Sequence, residues 1–169
     1  FSSTSLLAGE RLNKDYYFFF SKHLIFTLIA FFIMIFISVL ETNLFKKIII
    51  PSFILSFVFL ALVPIVGIEV KGAKRWLDLY FFRLQPIELM KPFFILTTVK
   101  ILTLKKLQNS QVKYLFSFFL LVSVIILLID QPDLGQSILL VGSWVATVFI
   151  SGVSIMYLII FFSIFFISI

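Results

Sequence analysis

The residues best equipped for chemistry lie together in the stretch Lys71 to Lys91, KGAKRWLDLYFFRLQPIELMK. It holds Lys71, Lys74, Arg75, Arg83 and Lys91, five of the fourteen lysines and arginines, and Trp76, one of two tryptophans. Such cations attract anionic lipid headgroups or anionic lipid-linked substrates. Charge gathered between two apolar runs points to a site; the alternative is a solvated loop whose basic residues anchor helix ends. Trp76 beside Arg75 suits either an interfacial anchor or a stacking platform for a sugar ring or a guanidinium. Two helix starts share one grammar, Gln85-Pro86-Ile87-Glu88 and Gln131-Pro132-Asp133. Pro is favoured at the first helical position, and an acid in the first turn complements the positive helix end. Glu88 and Asp133 can therefore be caps, or they can hold basic side chains and contact a polar ligand, and both can hold together. Glu88 and Lys91 are spaced i,i+3 and can pair on one helix face.

The elements that must position these residues are membrane spans. Of 169 residues 62% are hydrophobic, 24 are Phe and only 13% are charged, more apolar surface than a soluble domain of this size can bury. The fold class is an all-α polytopic membrane protein. There is no cysteine, which excludes disulfides and thiolate metal sites, and one His with four Asp argues against zinc. No cofactor is indicated. The net charge of +6 is read as attraction to membrane lipids rather than to nucleic acid.

Apolar runs place spans at 24–40, 48–68, 86–104, 114–129, 134–150 and 153–169, with a helix remnant at 1–7. The span at 86–104 carries Glu88, Lys91 and Lys100 and is expected to face other helices rather than lipid. Lys100 can snorkel. Trp144, near Gly142 and Ser143, reads as helix packing, and His23 as an interfacial residue. The chain opens on Phe1 and runs apolar to Ile169, so a portion of a longer protein, cut at both ends, is expected. Connectors 8–22, 69–91 and 130–135 carry eight Lys and Arg and the alternate set carries six. The positive-inside rule would put the first set in the cytoplasm; if the five basic residues of 69–91 serve a ligand, the answer reverses.

The run G-A-K-R-W-L-D-L…F-R-L-Q-P-I-E-L-M-K, followed by Q-P-D-L-G, resembles the SEDS family (shape, elongation, division and sporulation), the family of FtsW and RodA. Gly72, Ala73, Arg75, Trp76, Gln85, Pro86, Glu88, Lys91 and Gln131 to Gly135 fit its pattern. Ile87 stands where Ser or Ala is usual, and Gln136 where Thr or Ser is usual. The beginning of the chain looks more like the division-type FtsW branch. The resemblance implies a SEDS-type transmembrane helix bundle over 1–169, in the bacterial cytoplasmic (inner) membrane at the division septum, with connectors 8–22, 69–91 and 130–135 outside.

The resemblance also implies a peptidoglycan glycosyltransferase that polymerises lipid II into glycan strands. Its partners would be lipid II, a class B penicillin-binding protein transpeptidase and other divisome proteins. The family's proposed catalytic Asp lies in a loop after the seventh helix, so no catalytic residue is assigned here and this portion alone is expected to be inactive. The departing polyprenyl pyrophosphate needs fixed cations, and Arg presents a bidentate fork for it. The substrate-binding set expected on this basis is Lys74, Arg75, Trp76, Arg83, Gln85, Glu88, Lys91 and Asp133. Two competing readings are a lipid II flippase, which needs ionisable residues along a path through the membrane, and a non-catalytic scaffold for the transpeptidase.

Overall fold

In a computed structural model, residues 18–70, 72–80, 82–104 and 109–153 are described. The remnant expected at 1–7, and the span expected at 153–169 beyond Val153, lie outside them. The chain divides into two compact units, Phe1–Lys46 and Lys47–Ile169. The first carries helix α1 (Phe18–Val39), whose side chains are exposed from Phe20 to Val39. A helix apolar all round has the surface of a membrane span facing lipid. Helix α2 (Thr42–Val66) lies almost wholly in the second unit. There it is followed by strands β1 (Ile68–Val70), β2 (Ala73–Asp78) and β3 (Arg83–Leu84), then by helices α3 (Pro86–Leu102), α4 (Ser110–Asp130) and α5 (Leu134–Ile150).

The helices α1, α2 and α4 are long and apolar enough to cross a membrane. The architecture is thus the helical membrane bundle expected. The first two described helices are already formed at Phe18 and Thr42, six residues before the hydropathy runs at 24 and 48. Hydropathy locates the hydrocarbon-facing part of a helix, whereas backbone hydrogen bonding continues into the headgroup zone.

In the second unit the buried positions recur at helical spacing. They are Ile49, Ser56, Leu60 and Val63 on α2, and Ile87, Met90, Phe94, Thr97 and Thr98 on α3. On α4 they are Ser117, Leu121, Val124 and Leu128, and on α5 Leu140, Trp144 and Val148. Such stripes of three- and four-residue steps meet as interlocking ridges. Helices α3, α4 and α5 each pack on the other two, and Leu60 of α2 joins their core. The charged span α3 therefore does face its neighbours.

Because lipid is as apolar as the core, packing and internal hydrogen bonds must hold such a bundle. Small residues let the helices approach. Ser56 Oγ donates to the Phe53 carbonyl at 2.9 Å and contacts Met90 Sδ at 3.2 Å. Ser117 Oγ accepts the Trp144 indole N–H at 3.2 Å, and the Phe118 ring lies 5.9 Å from that of Trp144. Trp144 is 5% exposed, which is helix packing as read from the sequence.

The connector 67–85 holds what hydropathy could not show, a three-stranded antiparallel sheet in the order β1-β2-β3. Ile68 pairs with Trp76 and Glu69 with Lys74, with a bulge between Ile68 and Glu69. Gly72, at φ +80, supplies the left-handed residue the tight β1–β2 turn needs. Gly67 ends α2 where a Cβ would sit 2.3 Å from the Val63 carbonyl oxygen, so no other residue fits that approach.

Two prolines lie inside α2, Pro51 and Pro64. Pro64 has no N–H to give the Leu60 carbonyl, its helical acceptor partner. The side chain of Gln131, 3% exposed, donates from Nε2 to that carbonyl at 3.1 Å. Gln131→Leu should therefore destabilise the protein in detergent by about 1–2 kcal/mol. In a Pro64→Ala background, where the helix supplies its own donor, the same substitution should cost measurably less. Equal costs in the two backgrounds, read from reversible unfolding, would refute this coupling.

Candidate functional site

The site grows from the α4–α5 joint. Helix α4 ends at Asp130, and Leu128 O accepts the backbone N–H of both Gln131 and Asp133, at 3.2 and 3.1 Å. This tight return leaves the carbonyls of Gln131 and Pro132 without helical donors, as at any helix C-terminus. Arg75 of β2 fills both. Its Nε donates to Gln131 O at 3.2 Å and its Nη2 to Pro132 O at 2.5 Å. The same Nε stands 3.7 Å from the Asp133 carboxylate. A planar guanidinium suits this, because its donors are fixed in one fork.

Strand alternation explains how Arg75 arrives there. Successive side chains point to opposite faces, so Arg75 and Leu77 share one face and Lys74, Trp76 and Asp78 the other. Leu77 is buried, strand β2 packs on α3, and Arg75 is half-buried. Lys74 is exposed, and among the described residues its side chain makes no ion pair or hydrogen bond. It lines an open cavity of about 370 Å³ with Pro64, Glu69, Asp130, Gln131 and Pro132. Arg83 is also exposed, with Asp78 at 4.0 Å. Such an exposed pair is worth little by itself. Trp76 is half-buried.

The two acids with the same sequence grammar have different roles. Asp133 is the N-cap of α5: its Oδ1 accepts the Gln136 N–H at 3.4 Å, and helix geometry begins at Leu134. Pro132 therefore lies in the turn before the cap rather than at the first helical position. Glu88 is not a cap. Helix α3 starts after Gln85, an extended residue whose side chain makes no capping bond, with Pro86 at the first position. The Glu88 carboxylate instead faces α5. Its Oε2 lies 2.7 Å from Lys91 Nζ, and its Oε1 accepts Gln136 Nε2 at 2.9 Å. Lys91 Nζ donates to Gln136 Oε1 at 3.0 Å. Gln136 thus closes a three-member ring with Glu88 and Lys91 between α3 and α5.

Of the eight expected site residues, the structure links Arg75 with Asp133, and Glu88 with Lys91 through Gln136, whose own N–H is capped by Asp133. Among the described residues, the side chains of Lys74, Trp76, Arg83 and Gln85 make no hydrogen bond or ion pair to these five. Gln136 was missed as a site residue because it reads from sequence only as a departure from the Thr or Ser of the family pattern. Its signal was the spacing Asp133-x-x-Gln136, the arrangement of a capping box. The carboxamide then offers its NH2 to a carboxylate and its oxygen to an ammonium. Chemically, Asp133 and Glu88 are engaged with cations or amides, which fits holding and shaping a polar ligand better than taking a proton, while Glu69 and Asp130 line the cavity beside Lys74. Among the described residues no group of His, Asp and Glu could hold a metal ion.

The family described as "Cell cycle protein", of FtsW, RodA and SpoVE, matches residues 1–169. A relative in Wigglesworthia glossinidia brevipalpis, named "Probable peptidoglycan glycosyltransferase FtsW", is 30% identical over 91% of this chain and 41% of its own length. One of the same name in Escherichia coli O6:H1 is 30% identical over 89% of this chain and 37% of its own. The chain thus spans about two fifths of the length of these relatives. A mutant of the rod shape determining protein RodA of Thermus thermophilus superimposes with a TM-score of 0.66, at 30% identity over 79% of this chain and 43% of that one. A chain of a peptidoglycan synthase complex, described as coordinating polymerization and crosslinking, does so with a TM-score of 0.69, at 27% identity over 80% and 39%.

Arg75→Lys leaves one donor group where the fork served two carbonyls. Amide exchange across Asp133–Ser137 should then quicken about tenfold, equivalent to roughly 1.4 kcal/mol of lost local stability. Hydrogen-exchange mass spectrometry in lipid nanodiscs reads this directly. Unchanged exchange would mean that the joint holds itself and that Arg75 is not its clamp.

Proposed function

Since the chain belongs to the SEDS family of FtsW, RodA and SpoVE and is FtsW-like, we propose that it is the portion of a peptidoglycan glycosyltransferase that holds the lipid-linked donor, lipid II, while glycan strands are polymerised. The observation that carries this is the division of labour among the cations of β2 and β3. Arg75 is committed to the joint, while Lys74 stands exposed in the cavity beside it and Arg83 is exposed on β3, opposite Asp78. In this reading Lys74 and Arg83 contact the pyrophosphate and stabilise the charge that develops as the polyprenyl pyrophosphate leaves. Arg75 is a positioning residue that keeps Lys74 at a fixed place over the helix ends. Trp76 lines the sugar or lipid path. Gln85, Glu88, Lys91, Asp133 and Gln136 shape the cavity wall and keep α3 and α5 in register. The base that deprotonates the acceptor hydroxyl is sought outside these engaged carboxylates. The protein would work in the bacterial inner membrane, at the division septum, with the hairpin on the outer face.

Docking of a class B penicillin-binding protein transpeptidase is compatible with this, and the likeness to a chain of a peptidoglycan synthase complex supports it. A flippase is less well supported. The interior among α3, α4 and α5 is filled by Phe94, Leu121, Leu128 and Trp144, and the ionisable site residues collect near the helix starts.

In the full-length protein supplied with purified lipid II, Lys74→Ala with Arg83→Ala should slow strand formation at least about tenfold, the loss of roughly 1.4 kcal/mol of transition-state stabilisation. Arg75→Ala should slow it as well, together with the change in amide exchange described above. Wild-type rates in all of these variants would sink the donor-holding role. Transfer of lipid II across liposomes without strand formation by the unmodified protein would favour the flippase.

A further inference from the structure

The hairpin joining β2 to β3 carries a surface that the proposed activity does not use. Outside the helices, the exposed large apolar side chains of the described residues are Leu79, Tyr80, Phe82 and Leu104, and three of these four form the hairpin tip. Leu79 is 41% exposed, Tyr80 92% and Phe82 47%. The tip is built rather than loose. Leu79 N–H donates to Phe82 O at 3.1 Å, and the Asp78 carboxylate accepts the Tyr80 N–H at 3.1 Å while facing Arg83 at 4.0 Å. Tyr80 sits at φ 67, a left-handed conformation that Gly or Asn would adopt with less strain. An aromatic residue kept in that place, with its ring outward, is an outlier from which a function can be argued.

The surroundings of the tip decide what it meets. Strand β1 starts two residues after the end of α2, a helix long and apolar enough to cross the membrane, and α3 starts two residues after β3. The hairpin is therefore rooted at the boundary between hydrocarbon and water at both its ends. Six residues of β2 span about 20 Å at most, comparable with two helix diameters. Leu77 is buried and β2 packs on α3, so the hairpin lies against the helix ends rather than rising into water. A tip of Leu, Tyr and Phe rooted at that boundary matches the headgroup zone, where aromatic rings settle.

We propose that Leu79, Tyr80 and Phe82 form a membrane-surface anchor that seats in the headgroup zone of the bilayer. It pins the outer end of the hairpin, as Arg75 pins its inner end. This rests on the exposure and backbone geometry of the tip and not on the polymerase reading.

The chain has no cysteine, so a single one can be introduced as a label site. The test uses the full-length protein without other cysteines, carrying Tyr80→Cys or Leu79→Cys with an environment-sensitive fluorophore. It is reconstituted in phosphatidylcholine–phosphatidylglycerol vesicles. Nitroxide lipids labelled near the headgroup should remove most of the emission, mid-chain nitroxides less, and aqueous iodide little. Leu139→Cys, on the 61% exposed face of α5, supplies the reference for hydrocarbon depth. Tyr80→Gly relieves the backbone while removing the ring, so a label at Leu79→Cys in that background should lose its protection from iodide. Iodide quenching with no lipid quenching at both tip positions would overturn the proposal, whether the tip then stands in water or against another protein.

Discussion

Pro64 leaves the carbonyl of the fully buried Leu60 without a helical donor, and the rest of the site follows from how that gap is closed. In lipid every backbone polar group must find a partner within the protein. The Gln131 carboxamide supplies one from 71 residues away. That single bond holds the α4–α5 joint against α2 and fixes the carbonyls that Arg75 then takes. Asp133, two residues on, turns one carboxylate oxygen to Arg75 and the other to the start of α5.

From that joint the network runs outward in small steps. Each bond is modest, about 1 kcal/mol net for a neutral pair and somewhat more for a charged one. Their importance lies in the cost of breaking them, because each partner left behind would be a buried or half-buried polar group without compensation. Gln136 is the clearest case. Without its carboxamide, Glu88 and Lys91 would still pair on α3, but nothing would tie that pair to α5. The buried face of α5 adds one directional bond of its own, from the Trp144 indole to Ser117 of α4, while Leu140 and Val148 contribute apolar packing.

The sheet solves a similar problem for the connector. Between α2 and α3 the chain must cross the bundle end at the boundary of the membrane, where unpaired amides are costly. Antiparallel pairing satisfies them locally, and alternation sorts the side chains into a face that binds the helices and a face that does not. The same alternation separates Arg75, held inward, from Lys74, left exposed. Two adjacent cations thereby acquire different roles without any difference in local composition.

How much of this could be read beforehand depends on the range of the interactions. The membrane class, the helical bundle, the packing role of Trp144 and the inward-facing nature of α3 are legible in the sequence, because hydropathy and helical spacing act over a few turns. The family motifs are legible too, since they lie in short runs. The sheet was hidden because its strands are short, and the turn signal at Gly72 is weak within a charged loop. The sequence by itself determined that this chain spans a membrane and gathers charge near its helix starts, since those properties follow from composition and local periodicity. Only the tertiary structure decided that Gln131 answers Pro64, that Arg75 clamps the joint while Lys74 stays exposed, and that Asp133 caps while Glu88 bridges. Those outcomes depend on which backbone groups, tens of residues apart, are left without a partner once the helices have packed.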